Sequence, residues 1–304
     1  MSRKPVRNME ISIHQRLVNL AHAGGKDPNQ VRLHYVMERF LLRLSRSRHA
    51  RNFVLKGGMF LSILGTPSSR PTMDIDLLGC RIKNTMERIG EIFKELAELV
   101  VVEDDGVRFL PESVETFPIT KGAGYDGVRV ECLACLGKIP VKLKVDVGFG
   151  DVLYPGPEHY LVASLIEDIP AAEVVCYPKE SLIAEKFQAM AALGRLNTRM
   201  KDFYDIRFLS QQFDFDAFTL SEAIGRTFTH RRTDLDFARS LFTEEFVASR
   251  QVQWKAFVRR MKMAGLTEDF SEVMRDLNVF LLPVITGLKK GYSWKPQQGW
   301  GFHS

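Results

Sequence analysis

Apolar positions near the start of the chain recur at helical spacing. Val31, Tyr35, Val36, Phe40 and Leu41 fall on one stripe, and Asp27-Pro28-Asn29-Gln30 ahead of them marks a helix start: an acid to cap, Pro at the first helical position and Gln where a capping box places it. A short apolar strand is expected over 52–56, running into Gly57-Gly58, with a helix over 59–65, a loop at 68–71 and a strand over 73–78. Met86, Ile89, Ile92, Phe93 and Leu96 predict an amphipathic helix over 84–99. The pattern then changes period. Runs at 100–102, 107–110, 114–119, 128–136 and 141–148, punctuated by Gly, Pro and Asp, predict short strands in an antiparallel meander. Past Pro178 helical patterns dominate to about 290, and the Gly-, Trp- and Pro-rich residues 291–304 are expected to be irregular. The reading is a mixed α/β half over 1–178 followed by a helical half over 179–304.

Composition narrows the class. With 304 residues, 45% hydrophobic and 26% charged, the chain can bury a sizeable core, which excludes a disulfide mini-protein, a collagenous chain and a disordered tail. No apolar run approaches the ~20 residues that span a bilayer, and the charged N-terminal start is followed by no apolar segment, so a cytoplasmic protein without a signal peptide is expected. Cys132 and Cys135 form a lone C-x-x-C inside an expected strand and are read as free thiols. Net charge is +5 but uneven: between Arg226 and Lys262 nine Lys/Arg face four acids, which suits a polyanionic partner or a solvated helical surface.

Four segments carry candidate chemistry. Lys56-Gly57-Gly58 is followed, after fifteen intervening residues, by Asp74-Ile75-Asp76. Residues two apart in a strand share a face, so Asp74 and Asp76 point together while Ile75 and Leu77 point inward. Side-by-side carboxylates repel unless a cation lies between them, and hard oxygen donors suit Mg²⁺, which completes its shell with water and substrate phosphates. A glycine pair ahead of a helix lets backbone amides approach a phosphate. In 141–147, Val141, Leu143, Val145 and Val147 take one face and Lys142, Lys144 and Asp146 the other, offering a third carboxylate for a metal pair or only a solvent-facing edge. On the helix expected over 179–194, Lys186 falls on the apolar stripe of Leu182, Ile183, Phe187, Met190 and Leu193, where a buried ammonium needs an anionic partner or must snorkel to the edge. Asp202 and Asp205, three apart, share a face of the next helix, as site acids or as an N-cap with a surface ion pair to Arg199 or Lys201.

Together, Lys-Gly-Gly, Arg-Pro-Thr-Met-Asp-Ile-Asp, the strand with Asp146, Glu-Ser-Leu-Ile-Ala-Glu-Lys and Arg-Met-Lys-Asp-Phe-Tyr-Asp-Ile resemble the AbiEii-type nucleotidyltransferase toxins of the DNA polymerase β-like nucleotidyltransferase superfamily. The resemblance covers roughly residues 50–210. It implies a small mixed sheet with flanking helices, completed by a helical C-terminal half that contributes Lys186 and Asp202 or Asp205. It implies transfer of a nucleotide from an NTP, in some members to tRNA 3′ ends with a block of translation, and a cognate antitoxin with a winged-helix region. By position, Lys56, Gly57, Gly58, Arg70 and Lys186 would meet the triphosphate, and Asp74, Asp76 and Asp146 would hold Mg²⁺, with Mn²⁺ as substitute. Asp205, ahead of Asp202, would be the late catalytic acid. Arg231, Arg232, Arg259, Arg260 and Lys262 would contact the RNA acceptor. The chain departs from the superfamily's commoner Gly-Ser in having Gly-Gly, and Asp146 stands where the toxin family varies. On the residues alone, a silent nucleotide- or RNA-binding module and a metal-dependent nuclease remain alternatives.

Overall fold

The computed structural model describes residues 9–64, 71–121, 125–261, 265–288 and 290–302. It divides into two compact units. The first comprises the described residues before 65 together with Pro71–Gly150 and Glu158–Cys176; the second comprises Asp151–Pro157 and the chain from Tyr177 onward.

The first unit contains α1 (Met9–Ala23), α2 (Pro28–Arg46), β1 (Phe53–Lys56), α3 (Gly57–Ile63), β2 (Ile75–Gly79), α4 (Met86–Glu98), β3 (Val107–Phe109), β4 (Glu115–Lys121), β5 (Tyr125–Leu136), β6 (Ile139–Phe149), β7 (Glu158–Val162) and β8 (Ala172–Cys176). Its eight strands form one mixed sheet in the order β3-β5-β6-β2-β1-β8-β7, with β4 also paired to β5. The β2–β6 and β1–β8 pairs are parallel and the others antiparallel. The meander expected over 107–148 therefore forms, and its last strand, β6, docks beside β2 and so joins the two candidate segments.

Helix α2 starts where its cap residues predict, with Asp27 accepting from the Asn29 amide at 2.9 Å. It buries Tyr35, Val36, Met37 and Leu41 completely. Arg43, also buried, donates to Asp105 at 2.7 and 3.2 Å and to the Val107 carbonyl at 2.8 Å, tying the helix to the entry of β3. Helix α4 is capped by Thr85 and buries Ile89, Ile92, Phe93 and Leu96. Two features of this unit depart from expectation. Residues 100–102 form no strand, and Val100 and Val102 are exposed; three apolar residues with no cross-strand partner have no ladder to join. The β7–β8 hairpin carries no clear signature in the sequence, because Glu158–Val162 alternates weakly between polar and apolar positions. Cys132 is buried and Cys135, three residues on and therefore on the opposite face, is half-buried; both thiols are free.

The second unit contains α5 (Lys179–Leu193), α6 (Met200–Gln212), β9 (Phe215–Asp216), α7 (Ala217–His230), α8 (Asp236–Arg239), α9 (Glu244–Met261), α10 (Phe270–Ile285), β10 (Tyr292–Lys295) and β11 (Gly299–Phe302). Aromatic rings from α6, α9 and α10 make its core: Phe203 meets Phe270 at 5.2 Å, and Trp254 stacks between Phe257 and Phe270 at 5.3 and 5.5 Å. The tail is a correction. Residues 292–302 are not irregular but form a β10–β11 hairpin that pairs with β9. The turn is made possible by left-handed backbone at Gln297 and Gly299. The alternation Tyr292/Trp294 against Trp300/Phe302 places like rings opposite one another, and each indole N–H finds a carbonyl, Trp294 on Ser210 at 2.6 Å and Trp300 on Phe280 at 2.9 Å. Leu193, expected on the buried stripe of α5, is also exposed, because the helix ends there.

Candidate active site

One row of side chains crosses four strands of the first unit. Lys56 on β1 is opposite Asp76 on β2, Asp76 is opposite Asp146 on β6, and Asp146 is opposite Arg129 on β5. Residues in register on neighbouring strands share a face, so the charges run plus, minus, minus, plus along one row. The alternation read from the sequence holds: Ile75, Leu77, Val145 and Val147 are buried on the opposite face, and Asp74, Asp76 and Asp146 are half-buried.

Each carboxylate is held by its surroundings. Gly57 opens α3 directly after β1, with φ of +69°. A Cβ there would lie 1.9 Å from Asp76 Oδ2, so only glycine leaves room for the Asp76 carboxylate. Gly58 is buried one residue further on. Thr72, itself buried, donates from Oγ1 to the Asp74 carbonyl at 3.1 Å and to Asp74 Oδ1 at 3.3 Å. Arg129 grips Asp146 with two parallel bonds, Nε to Oδ1 and Nη2 to Oδ2, both 2.8 Å. Those bonds, and then the charges of Asp146 and Asp74, hold the guanidinium charged, its pKa raised above the ordinary arginine range. Arg129 is absent from the candidates that the sequence offers, although the alternation of Arg129 and Glu131 with Val128, Val130 and Cys132 already marks the polar face of β5. Arg70 and Lys262 lie outside the described residues.

The donor set fits a hard divalent cation. Asp74 and Asp76 could supply the one or two carboxylates that Mg²⁺ takes from a protein, the remaining ligands coming from water and phosphate, and Asp146 stands on the adjacent strand. Among the described residues no three His, Cys, Asp or Glu side chains cluster into a cage for a metal.

In the second unit, α5 and α6 bring Lys186, Asp202 and Asp205 together. Lys186 Nζ donates to Asp205 Oδ2 at 2.6 Å and to Asp202 Oδ1 at 3.2 Å; both acids are completely buried and Lys186 nearly so. Arg199 closes the cluster from the rim, Nε to Asp202 Oδ2 at 2.7 Å. Asp202 is thus no N-cap; the expected ion pair with Arg199 forms, but on a completely buried carboxylate, and the lysine on the apolar stripe is matched by carboxylates from the next helix.

A second polar network lies in the same unit. The buried Tyr177 hydroxyl lies 3.1 Å from Asp151 Oδ2 and 2.9 Å from Glu185 Oε1. Arg231 donates to Asp151 Oδ1 at 2.7 Å and to Gln188 Oε1 at 2.9 Å. Burial, followed by the charges of Glu185 and Asp151, pushes the Tyr177 phenol well above its usual range. Of the basic residues singled out as acceptor contacts, Arg231 is therefore engaged inside this network, whereas Arg232, Arg259 and Arg260 are exposed.

A row of carboxylates beside a strand–glycine–helix turn could hold a metal-bound phosphate chain. The family described as Nucleotidyl transferase AbiEii toxin, Type IV TA system, matches residues 39–276. The chain belongs to this family: it is a nucleotidyltransferase toxin of a toxin–antitoxin system, an enzyme that acts on a nucleotide substrate and whose system includes an antitoxin. Two crystal structures from Helicobacter pylori are similar to it. One, of a protein described as a nucleotidyltransferase, is 18% identical with a TM-score of 0.47, over 84% of this chain and 94% of that one. The other, of JHP933, is 18% identical with a TM-score of 0.46, over 84% and 91%. Among proteins of curated function none matches. Among the described residues no helix is long and apolar enough to cross a membrane.

Proposed function

We propose that the chain transfers a nucleotide from a Mg²⁺-bound NTP to a hydroxyl of an RNA acceptor, the tRNA 3′ end, and so arrests translation in the cytoplasm until its antitoxin, of winged-helix type, restrains it. The observation that carries this reading is the close approach of Gly57 to Asp76 in a row that also holds Asp146. Backbone with no side chain of its own lies against a metal-type carboxylate, as a site for a phosphate chain requires.

In the reaction the acceptor oxygen bonds to the α-phosphorus, the bond from that phosphorus to the bridging oxygen breaks, and pyrophosphate leaves. The hydroxyl proton passes to a carboxylate of the row and on to water. When bound, the cation supplies charge neutralisation on the phosphates and lowers the barrier to attack. Asp74 and Asp76 would hold it, and Asp146, once released by Arg129, would be the third candidate donor. Lys56, Gly57, Gly58 and Arg70 line the phosphates, while Lys186 with Asp205 and Asp202 forms the buried charge cluster of the second unit. The exposed cations Arg232, Arg259 and Arg260, with Lys262, hold the RNA backbone.

The test is label transfer. Purified chain, Mg²⁺ and each α-labelled NTP in turn are incubated with total RNA, beside the Asp74→Ala/Asp76→Ala variant. A labelled band in the tRNA range, absent from the double variant, is the expected result. Equal labelling by the variant, loss of full-length RNA without NTP, or no label in any RNA would each overturn the reading.

A further inference from the structure

Arg129 enters the reading above only through its grip on Asp146, yet its geometry sets it apart from an ordinary surface ion pair. Its fork takes one lone pair on each oxygen of Asp146, both at 2.8 Å, and Asp146 is the register partner of Asp76, on parallel strands ~4.8 Å apart. Two carboxylates so close repel each other, and one of them is already neutralised by a cation belonging to the protein. Arg129 also feels the charge of Asp74, so a single guanidinium answers to two of the three acids Asp74, Asp76 and Asp146. Its side chain is 40% exposed, which leaves it free to turn toward solvent. From that position a divalent cation and Arg129 compete for the same carboxylate, and a triphosphate and Asp146 compete for the same guanidinium.

We propose that Arg129 is a positioning residue that occupies Asp146 in the nucleotide-free protein and exchanges it for phosphate when a metal-bound triphosphate enters. Before that exchange it stands in for the cation, keeps the two neighbouring acids from repelling each other, and disfavours metal arriving alone. Afterwards Asp146 turns its released oxygens to the metal, and the guanidinium, planar and always charged, meets the phosphate oxygens. The exchange breaks one ion pair, Arg129 with Asp146, and makes two, Asp146 with the metal and Arg129 with phosphate oxygen. The site would then discriminate between a bare divalent cation and one carrying a phosphate chain. The inference rests on the metal and triphosphate roles proposed above.

The experiment uses the full chain with Mn²⁺ as probe, free Mn²⁺ being read by electron paramagnetic resonance, first alone and then with inorganic tripolyphosphate, which needs no base specificity. Arg129→Gln should bind Mn²⁺ alone about fivefold more tightly than wild type, which corresponds to the ~1 kcal/mol of a partly exposed ion pair. The same variant should bind Mn²⁺–tripolyphosphate several-fold more weakly, with Arg129→Lys intermediate in both. In an Asp146→Asn background Arg129→Gln should no longer tighten Mn²⁺ binding, a coupling that a merely structural pair would not show. Unchanged or weakened Mn²⁺ binding by a folded Arg129→Gln, or unchanged tripolyphosphate binding, overturns the proposal. Asp76→Asn separates the two levels. If wild type binds the complex and Asp76→Asn does not, a failure at Arg129 concerns the exchange alone; if Asp76→Asn binds as wild type does, the metal reading fails and the exchange with it.

Discussion

Gly57 and Asp76 are packed so closely that position 57 has no room for a single carbon: a Cβ would sit 1.9 Å from Oδ2 and 2.7 Å from Cγ of the aspartate. Gly57→Ala therefore strains a left-handed backbone and also evicts the carboxylate beside it. The expected result is a loss of ~1–3 kcal/mol in denaturant unfolding and a drop in label transfer of about a hundredfold, since small displacements at a reacting centre cost that much. The double variant Gly57→Ala/Asp76→Ala removes the clashes with Oδ2 and Cγ but keeps the one with the Asp76 Cβ at 2.8 Å, so it should regain only a part of the stability while staying inactive. A Gly57→Ala protein as stable and as active as wild type would show that Asp76 does not need this glycine.

Lys186 anchors two buried acids, and its removal leaves the charge of Asp205 without its 2.6 Å partner. Lys186→Met should cost ~3–5 kcal/mol in urea unfolding, the usual penalty for stranding a buried charge. Adding Asp205→Asn should return a large part of that loss, because Arg199 still serves Asp202 at 2.7 Å. Equal instability of the single and double variants would place the cost in packing rather than charge.

The sequence shows some of these relationships and hides others, for physical reasons that differ by residue. Asp74 and Asp76 are legible because a strand's period of two assigns their face without reference to anything distant, and Lys186 because a charge on an apolar stripe demands an explanation. Arg129 is a plain alternating residue whose meaning comes from pairing: only the parallel docking of β6 on β2 sets Asp146 beside Asp76, and no local pattern fixes which strands become neighbours. Asp151 and Arg231 are 80 residues apart and carry no local sign of meeting. The tail is hard to read because Gly, Pro and Trp signal turns as readily as disorder; only the opposition of Trp294 to Trp300 reveals a hairpin.

Tyr177 gives the alkaline limit of stability a local cause. Its pKa is raised in the folded chain above the unfolded value of ~10, so its contribution is complete below that pH and is lost as pH climbs toward the folded value. Wild type should lose stability steadily above about pH 10, and Tyr177→Phe should show a shallower alkaline slope in thermal melts taken across that range. At neutral pH the same variant should be less stable by ~1–3 kcal/mol, because Asp151 and Glu185 lose their hydroxyl donor. An unchanged alkaline slope would move the effect to other buried groups, Tyr35 and Cys176, whose pKa values burial also raises.

Two kinds of arginine occur in the basic stretch, and mutation should separate them. Arg231 is bonded to Asp151, whose side chain is only 2% exposed, so Arg231→Ala should cost ~2–3 kcal/mol of stability by leaving that acid beside Glu185 without its cation. Arg259 and Arg260 project from α9 into solvent, Arg259 with no more than a 3.6 Å pair to Glu268. Arg259→Ala/Arg260→Ala should unfold at the wild-type midpoint, yet bind bulk tRNA more weakly, and the slope of log affinity against log KCl should fall by about one for each phosphate that the variant no longer neutralises. The two measurements, denaturation and a salt titration of RNA binding, give opposite patterns for the two variants if α9 carries the acceptor. If the double variant keeps the full salt slope, the RNA is held elsewhere and the net positive charge of this segment is only a solvated surface.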